Sequence, residues 1–401
     1  MFRIPGINLE GIIERIKRTA RLFRREFYRM AERPVYWFVM VFAPLFCYVF
    51  FTSLMQNGLP ESIPVGLVDM DNTVTSRNIG RNLDAFQQVD IKQRFPNVTD
   101  ARRAMQRGEI YAYFYIPKGT THKVNRQEQP TISFYINYSY LVAGSLAYRD
   151  MRTMAELVSG AAQRKVLLAK GATDAQAMTY LRPIVLDTHS LNNPWLNYSI
   201  YLCNILLPGI LLLFVSMLTV YSIGTEIKDG EAQEWMNMAG GSIIRALWVK
   251  LVPQFIIFWL IGTAYIVLLY GYLQFPCNCG IPTMMVAMTL FILAAQGLGL
   301  VFFALLPSLR MGMSFCALWG VLGLSMSGMS YPVIAMHPAV QGLSYLFPLR
   351  HYFLIYVNSA LNGYPWQYVW TSFTALLLFA LAPLFFLNKI KYSVLNYTYV
   401  P

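Results

Sequence analysis

The chain has 401 residues, 56% of them hydrophobic and only 13% charged, against about 25% charged in an average soluble protein. Apolar runs as long as those described below exceed what a soluble core absorbs and exclude a soluble globular protein. The formal charge of +12 does not indicate nucleic acid, because much of it sits in an N-terminal arm beside a span, where basic residues set topology.

Residues 1–34 form that arm. Leu9, Ile12, Ile13, Ile16, Phe23, Phe27 and Met30 recur at helical spacing with arginines opposite. The pattern predicts an amphipathic helix lying on the anionic inner leaflet, ended by Pro34. No cleavable leader is read before the first span, so residues 35–55 are expected to act as an uncleaved signal anchor. Further charge-free candidates run over 198–223, 251–273, 283–306, 311–329 and 366–387, which makes six spans. Nine Lys/Arg precede the first span. Lys228, Arg245 and Lys250 lie between spans two and three, Arg310 between four and five, and Lys389 and Lys391 after six. Apart from the large insert, the alternate loops hold only Arg350, so both termini are expected in the cytoplasm and the chain in the inner (plasma) membrane.

The insert, residues 56–197, reads as an extracytoplasmic α/β domain, long enough to translocate whatever its charge. Strands are predicted over 63–69, 89–95, 110–116 and 131–137, helices over 75–86 and 100–107, and a long helix over 141–170. The expected fold is therefore a polytopic α-helical membrane protein with six transmembrane helices and an inserted α/β domain.

Several chemical motifs were weighed. Asp69-Met-Asp71-Asn-Thr73-Val74 after a strand imitates the signature of haloacid-dehalogenase-type phosphatases. That chemistry also needs a positioned lysine and a downstream acidic pair, neither of which is evident, and an Asp-rich turn is ordinary cap chemistry. No Gly-Lys pair occurs anywhere, which excludes a P-loop and leaves no nucleotide site in this chain. The histidines are scattered, and Cys277-Asn-Cys279 reads as an incidental pair, so no metal or other cofactor is expected. Residues 224–250, between spans two and three, carry Glu226, Asp229, Gly230, Glu231 and Trp235, ending in paired glycines suited to a helix C-cap. They read as a docking helix for a cytosolic partner, with Trp235 as an aromatic anchor. Asn204, Gln254 and Gln296 lie in or near spans, where polar groups face other helices or a pathway. Residues 327–352 hold Pro332, Pro338, Pro348 and Arg350, a stretch too broken to cross a bilayer.

Together these parts resemble an ABC type-2 exporter permease of the subgroup with a large extracytoplasmic domain after the first span. The resemblance rests on the basic arm, "VGLVDMDNTVTSRNIGRNLDAF", "AYFYIPKGTTHKV", "GTEIKDGEAQEW" and the proline-rich stretch. Glu226 and Gly230 match the family's Glu-x-x-x-Gly-Thr pattern, while Glu231 stands where the threonine is usual. The resemblance implies a permease that is not itself an enzyme, with ATP and Mg²⁺ held by separate ABC ATPase subunits docking on 224–250. It further implies a second permease copy or paralogue, and a membrane-fusion adaptor with an outer-membrane channel as further partners. Residues 327–352 become an outer re-entrant pair of short helices capping the path, with Arg350 meeting the interface, a carboxylate or a lipid headgroup. Drug-like molecules, lipids and polysaccharides all remain open as substrates. The rival reading is a non-transporting membrane receptor or scaffold.

Overall fold

A computed structural model describes residues 9–399 apart from 127, 185–186, 190 and 195, and describes residues 9–16 by helical backbone only. The side chains of Leu9, Ile12, Ile13 and Ile16 therefore lie outside the described residues. The chain divides into two compact units, one made of Met1–Gln56 with Tyr198–Pro401 and the other of Asn57–Asn197.

In the first unit the arm helix, Leu9–Glu32, leads into six helices long and apolar enough to cross a membrane: Pro34–Leu54, Tyr198–Lys228, Ile243–Tyr272, Ile281–Leu305, Leu309–Met326 and Trp370–Asn396. These are called spans one to six. Spans two and four form the centre and are the most enclosed, while spans one and six are largely peripheral. Close crossing at the centre is a glycine effect. On span four, a Cβ on Gly299 would lie 2.7 Å from the Ser216 carbonyl oxygen of span two, and one on Gly297 would strike the Phe379 backbone of span six. Polar groups support the same core. The Tyr356 hydroxyl donates to the Ile200 carbonyl at 3.0 Å and the Tyr270 hydroxyl to Asn204 Oδ1 at 2.7 Å, both on the first turns of span two.

Spans two and three differ from the charge-free windows. Span two continues through Glu226 to Lys228, and span three begins at Ile243 and carries Lys250 inside it. The connection between them shrinks to a short loop helix, Ala232–Met238. Gly230, Gly240 and Gly241 all adopt positive φ. Gly230 closes the end of span two through its N–H to the Ile227 carbonyl at 3.1 Å, and Gly241 closes the loop helix through Met236 at 2.9 Å.

The proline-rich stretch is built of short helices that its prolines start. Pro332 precedes the turn Val333–Ala335, and Pro338 and Pro348 occupy the first positions of Pro338–Ser344 and Pro348–Ile355. Proline suits a helix start because its missing N–H has no partner there anyway.

The second unit contains a four-stranded sheet in the order β2-β1-β3-β4, with β1 Ile63–Asp69, β2 Val89–Arg94, β3 Ala112–Ile116 and β4 Ser133–Ile136. β1 is parallel to β2 and β3, and β4 runs antiparallel to β3. The near-continuous apolar run of β1 follows from burial on both faces. Val65 and Leu67 pack with Ile79, Leu83, Ala147 and Met151 on one side, and Val68 packs with Phe95, Ala101 and Ala104 on the other. Thr73 and Ser76 form a reciprocal capping box at the start of the helix Val74–Asp84. Two helices, Thr120–Asn125 and Asp174–Leu181, lie where no element was expected.

Candidate functional site

Three of the four acids between residues 226 and 234, Glu226, Asp229 and Glu231, are already paired within the chain. Glu226, at the end of span two, is fully buried. Its carboxylate takes Arg25 through Nη1 to Oε1 at 3.1 Å and Nη2 to Oε2 at 2.7 Å, and Arg29 Nη1 to Oε2 at 3.1 Å. Lys250 Nζ, itself fully buried, donates to Glu226 Oε1 at 2.6 Å and to Glu26 Oε2 at 2.7 Å. Arg29 also reaches Asp229 at 2.8 Å and bonds Glu231, Arg25 reaches Glu231 at 2.8 Å, and Arg33 pairs with Asp229.

The result is a cluster of four cations, Arg25, Arg29, Arg33 and Lys250, against four anions, Glu26, Glu226, Asp229 and Glu231. It is charge-balanced. The arm helix places Arg25 and Arg29 four residues apart on one face, and Arg33 follows in extended backbone just past its end. Removing one member of a buried pair typically costs about 3–5 kcal/mol, because a charge is left uncompensated. The rim pair Arg33–Asp229 is partly exposed and belongs to the class worth about 0–1 kcal/mol.

Trp235 differs from its expected role. It is fully buried, with Lys250 Nζ 4.8 Å from its ring centroid. It is a packing residue and not an exposed anchor. The surface the loop helix does present is polar: Gln233, Glu234 and Asn237 are exposed. The arm's arginines divide similarly. Arg25, Arg29 and Arg33 turn inward onto acids rather than outward to headgroups, whereas Lys17, Arg21 and Arg24 are exposed beside Phe27 and Tyr28.

The remaining candidate residues are dispersed. Asn204 donates to the Ile200 carbonyl at 2.9 Å and accepts from Tyr270, and Gln296 donates to the Leu251 carbonyl at 3.2 Å. Both serve helix packing. Gln254 is buried with Oε1 unpartnered among the described residues. Arg350 stacks over Tyr345 at 5.1 Å and forms no ion pair among the described residues. The Cys277 and Cys279 sulfurs lie 3.9 Å apart as free thiols.

In the second unit the Asp69/Asp71 turn is used up by structure. Asp69 accepts from the Asp71 and Asn72 N–H groups, both at 3.0 Å, and from Ser76 Oγ at 2.7 Å. Asp71 accepts from Thr121 N–H at 3.1 Å and from Thr121 Oγ1. Partial burial works against the Asp71 charge, but the Thr121 and Thr73 donors hold its carboxyl below the usual range. Asp150 is the opposite case: burial pushes its carboxyl up, against a weaker pull from Arg149, and Oδ2 has no partner among the described residues. Among the described residues no cluster of three or more His, Cys, Asp or Glu is placed to hold a metal.

Arg25, Glu26, Arg29, Arg33 and Lys250 were missed as site residues. The available signal was the four-residue arginine spacing, together with an isolated lysine inside an apolar run.

Six helices long and apolar enough to cross a membrane, with a charge-balanced cluster where two of them meet, define a multi-pass membrane protein. Residues 34–387 match the family model of ABC-2 family transporter proteins. The chain belongs to that family. No curated protein matches it.

Proposed function

We propose that the chain is the permease subunit of an ATP-driven exporter that moves a drug-like molecule, lipid or polysaccharide outward across the inner membrane. ATP hydrolysis belongs to separate ABC ATPase subunits, and two permease chains, identical or paralogous, form the pathway. Both termini lie in the cytoplasm. Asn57–Asn197 lies outside, where an adaptor and an outer-membrane channel meet it.

The observation that carries this reading is the loop helix, polar on its exposed face, packed by Trp235 on its buried one and joined at its start, through Glu231, to the ionic cluster, in a chain of the ABC-2 family. ATPase closure pushes on Gln233, Glu234 and Asn237. The ionic cluster passes the displacement to the arm helix and to the start of span three, which switches the bundle between two states. Residues 327–352 cap the outer end.

The test is to purify the chain from its own membranes with bound proteins attached. An ATPase with a P-loop should co-purify, and Glu234→Arg with Asn237→Trp should release it without lowering the melting temperature. Recovery of the chain free of any ATPase, or full retention by the doubly substituted chain, refutes the reading.

A further inference from the structure

Among the described residues Arg350 is a cation without an anion. From Trp235 to Pro401 the sequence contains neither aspartate nor glutamate. The described acids of the membrane unit all lie on the arm helix and between residues 226 and 234. Four of them, Glu26, Glu226, Asp229 and Glu231, are committed to the ionic cluster. Among the described residues the Arg350 side chain forms no ion pair, and its Nε is closed off from solvent with no hydrogen-bond partner.

Its surroundings hold the guanidinium in place without neutralising it. The group lies over the Tyr345 ring at 5.1 Å. Gly328, at φ +97°, also approaches it, and a Cβ there would stand 3.6 Å from Nη1. The segment around it exposes apolar surface: Tyr331, Ile334 and Leu346 are all more than half exposed. A half-buried arginine on an apolar, membrane-associated segment is costly unless it meets a counter-charge. Its planar fork matches the paired oxygens of a phosphate.

We propose that Arg350 binds the phosphate of an anionic phospholipid, with Tyr345 as the floor of the site and the exposed apolar residues of 327–352 against the glycerol and upper chains. This site is separate from the ATPase-coupling reading, and its assay uses the purified permease alone.

The chain is titrated with dioctanoyl phosphatidylglycerol and retained lipid is counted by native mass spectrometry. Dioctanoylglycerol tests the apolar contacts without phosphate, and glycerol phosphate tests a soluble anion as competitor. The wild type should retain phosphatidylglycerol. Arg350→Gln should weaken retention about tenfold at an unchanged melting temperature, and Arg350→Lys should fall between, keeping charge but losing the fork. Should the glutamine variant not fold, the lysine variant decides alone, with weaker retention as the expected result. Equal retention in wild type and variants overturns the site. Dioctanoylglycerol binding as tightly as phosphatidylglycerol reduces it to apolar contact, and displacement by glycerol phosphate at matched concentration makes it a water-facing anion site; either result refutes the lipid assignment.

Discussion

Lys250→Met tests whether the ionic cluster holds the arm helix to the spans. The substitution keeps an unbranched, apolar side chain of similar reach but removes a charge that is fully buried between Glu26 at 2.7 Å and Glu226 at 2.6 Å. Glu226 keeps Arg25 and Arg29, so its charge remains compensated. Glu26 keeps only Arg25, at 3.0 Å. The loss should therefore fall near the low end of the range for breaking a buried pair, about 3 kcal/mol. Adding Glu26→Gln restores balance, with Arg25, Arg29 and Arg33 facing Glu226, Asp229 and Glu231. The double variant should then recover about 1–2 kcal/mol relative to the sum of the single losses. Denaturant unfolding of the purified protein in mixed micelles measures all four corners of this cycle. A Lys250→Met chain as stable as wild type, or single losses that simply add in the double variant, would show that the pairs are not energetically coupled and that the arm is held by packing alone.

Trp235→Ala removes a fully buried indole and should cost about 3–5 kcal/mol, read by thermal unfolding of the chain without any partner; an unchanged melting temperature would return Trp235 to a docking role. Asp150→Asn should stabilise the second unit by about 1–3 kcal/mol at pH 7, because it replaces a carboxylate whose charge burial disfavours with a neutral amide of the same shape. The sign follows from a raised native pKa. The favourable contribution of Asp150 is present below its ordinary value of 3.8 and is lost as pH rises through the raised one. The advantage of the variant should accordingly vanish below about pH 4 in a melting series, and an advantage that persists there is the contrary result.

What was legible in the sequence follows the range of the interactions involved. The apolar runs of spans one, four and five and the buried strand Ile63–Asp69 are local patterns, and they lie in the structure within a few residues of where they read. Spans two, three and six extend beyond their charge-free windows, because Glu226, Lys250, Lys389 and Lys391 lie inside the helices. A charge neutralised by a partner does not have to leave the helix, and that partner is invisible to a window of hydropathy. The arginine stripe of the arm was visible as a stripe, but its destination was not, since Arg25 and Glu226 are 201 positions apart. The phosphatase-like turn illustrates the converse. Asp69 and Asp71 imitate a catalytic motif by spacing, yet Asp69 is held by donors of its own turn and Asp71 by Thr73 and by Thr121 from the helix Thr120–Asn125. The helices Thr120–Asn125 and Asp174–Leu181 are too short to show a period.

That same separation of 201 positions between Arg25 and Glu226 has a consequence for the order in which the protein is made. At about 5–20 residues per second, the ribosome needs roughly 10–40 s after Arg25 to produce Glu226, and Lys250 follows later still. Through that interval the arginines of the nascent arm have no carboxylates from the second span to bind, and with the arm on the cytoplasmic side, as proposed above, the anionic inner leaflet is the counter-charge within reach. The arm is thus expected to rest on lipid first and to change partners only when the end of span two and the start of span three arrive together. Closure of the cluster would then mark the arrival of Lys250, in the first turns of span three.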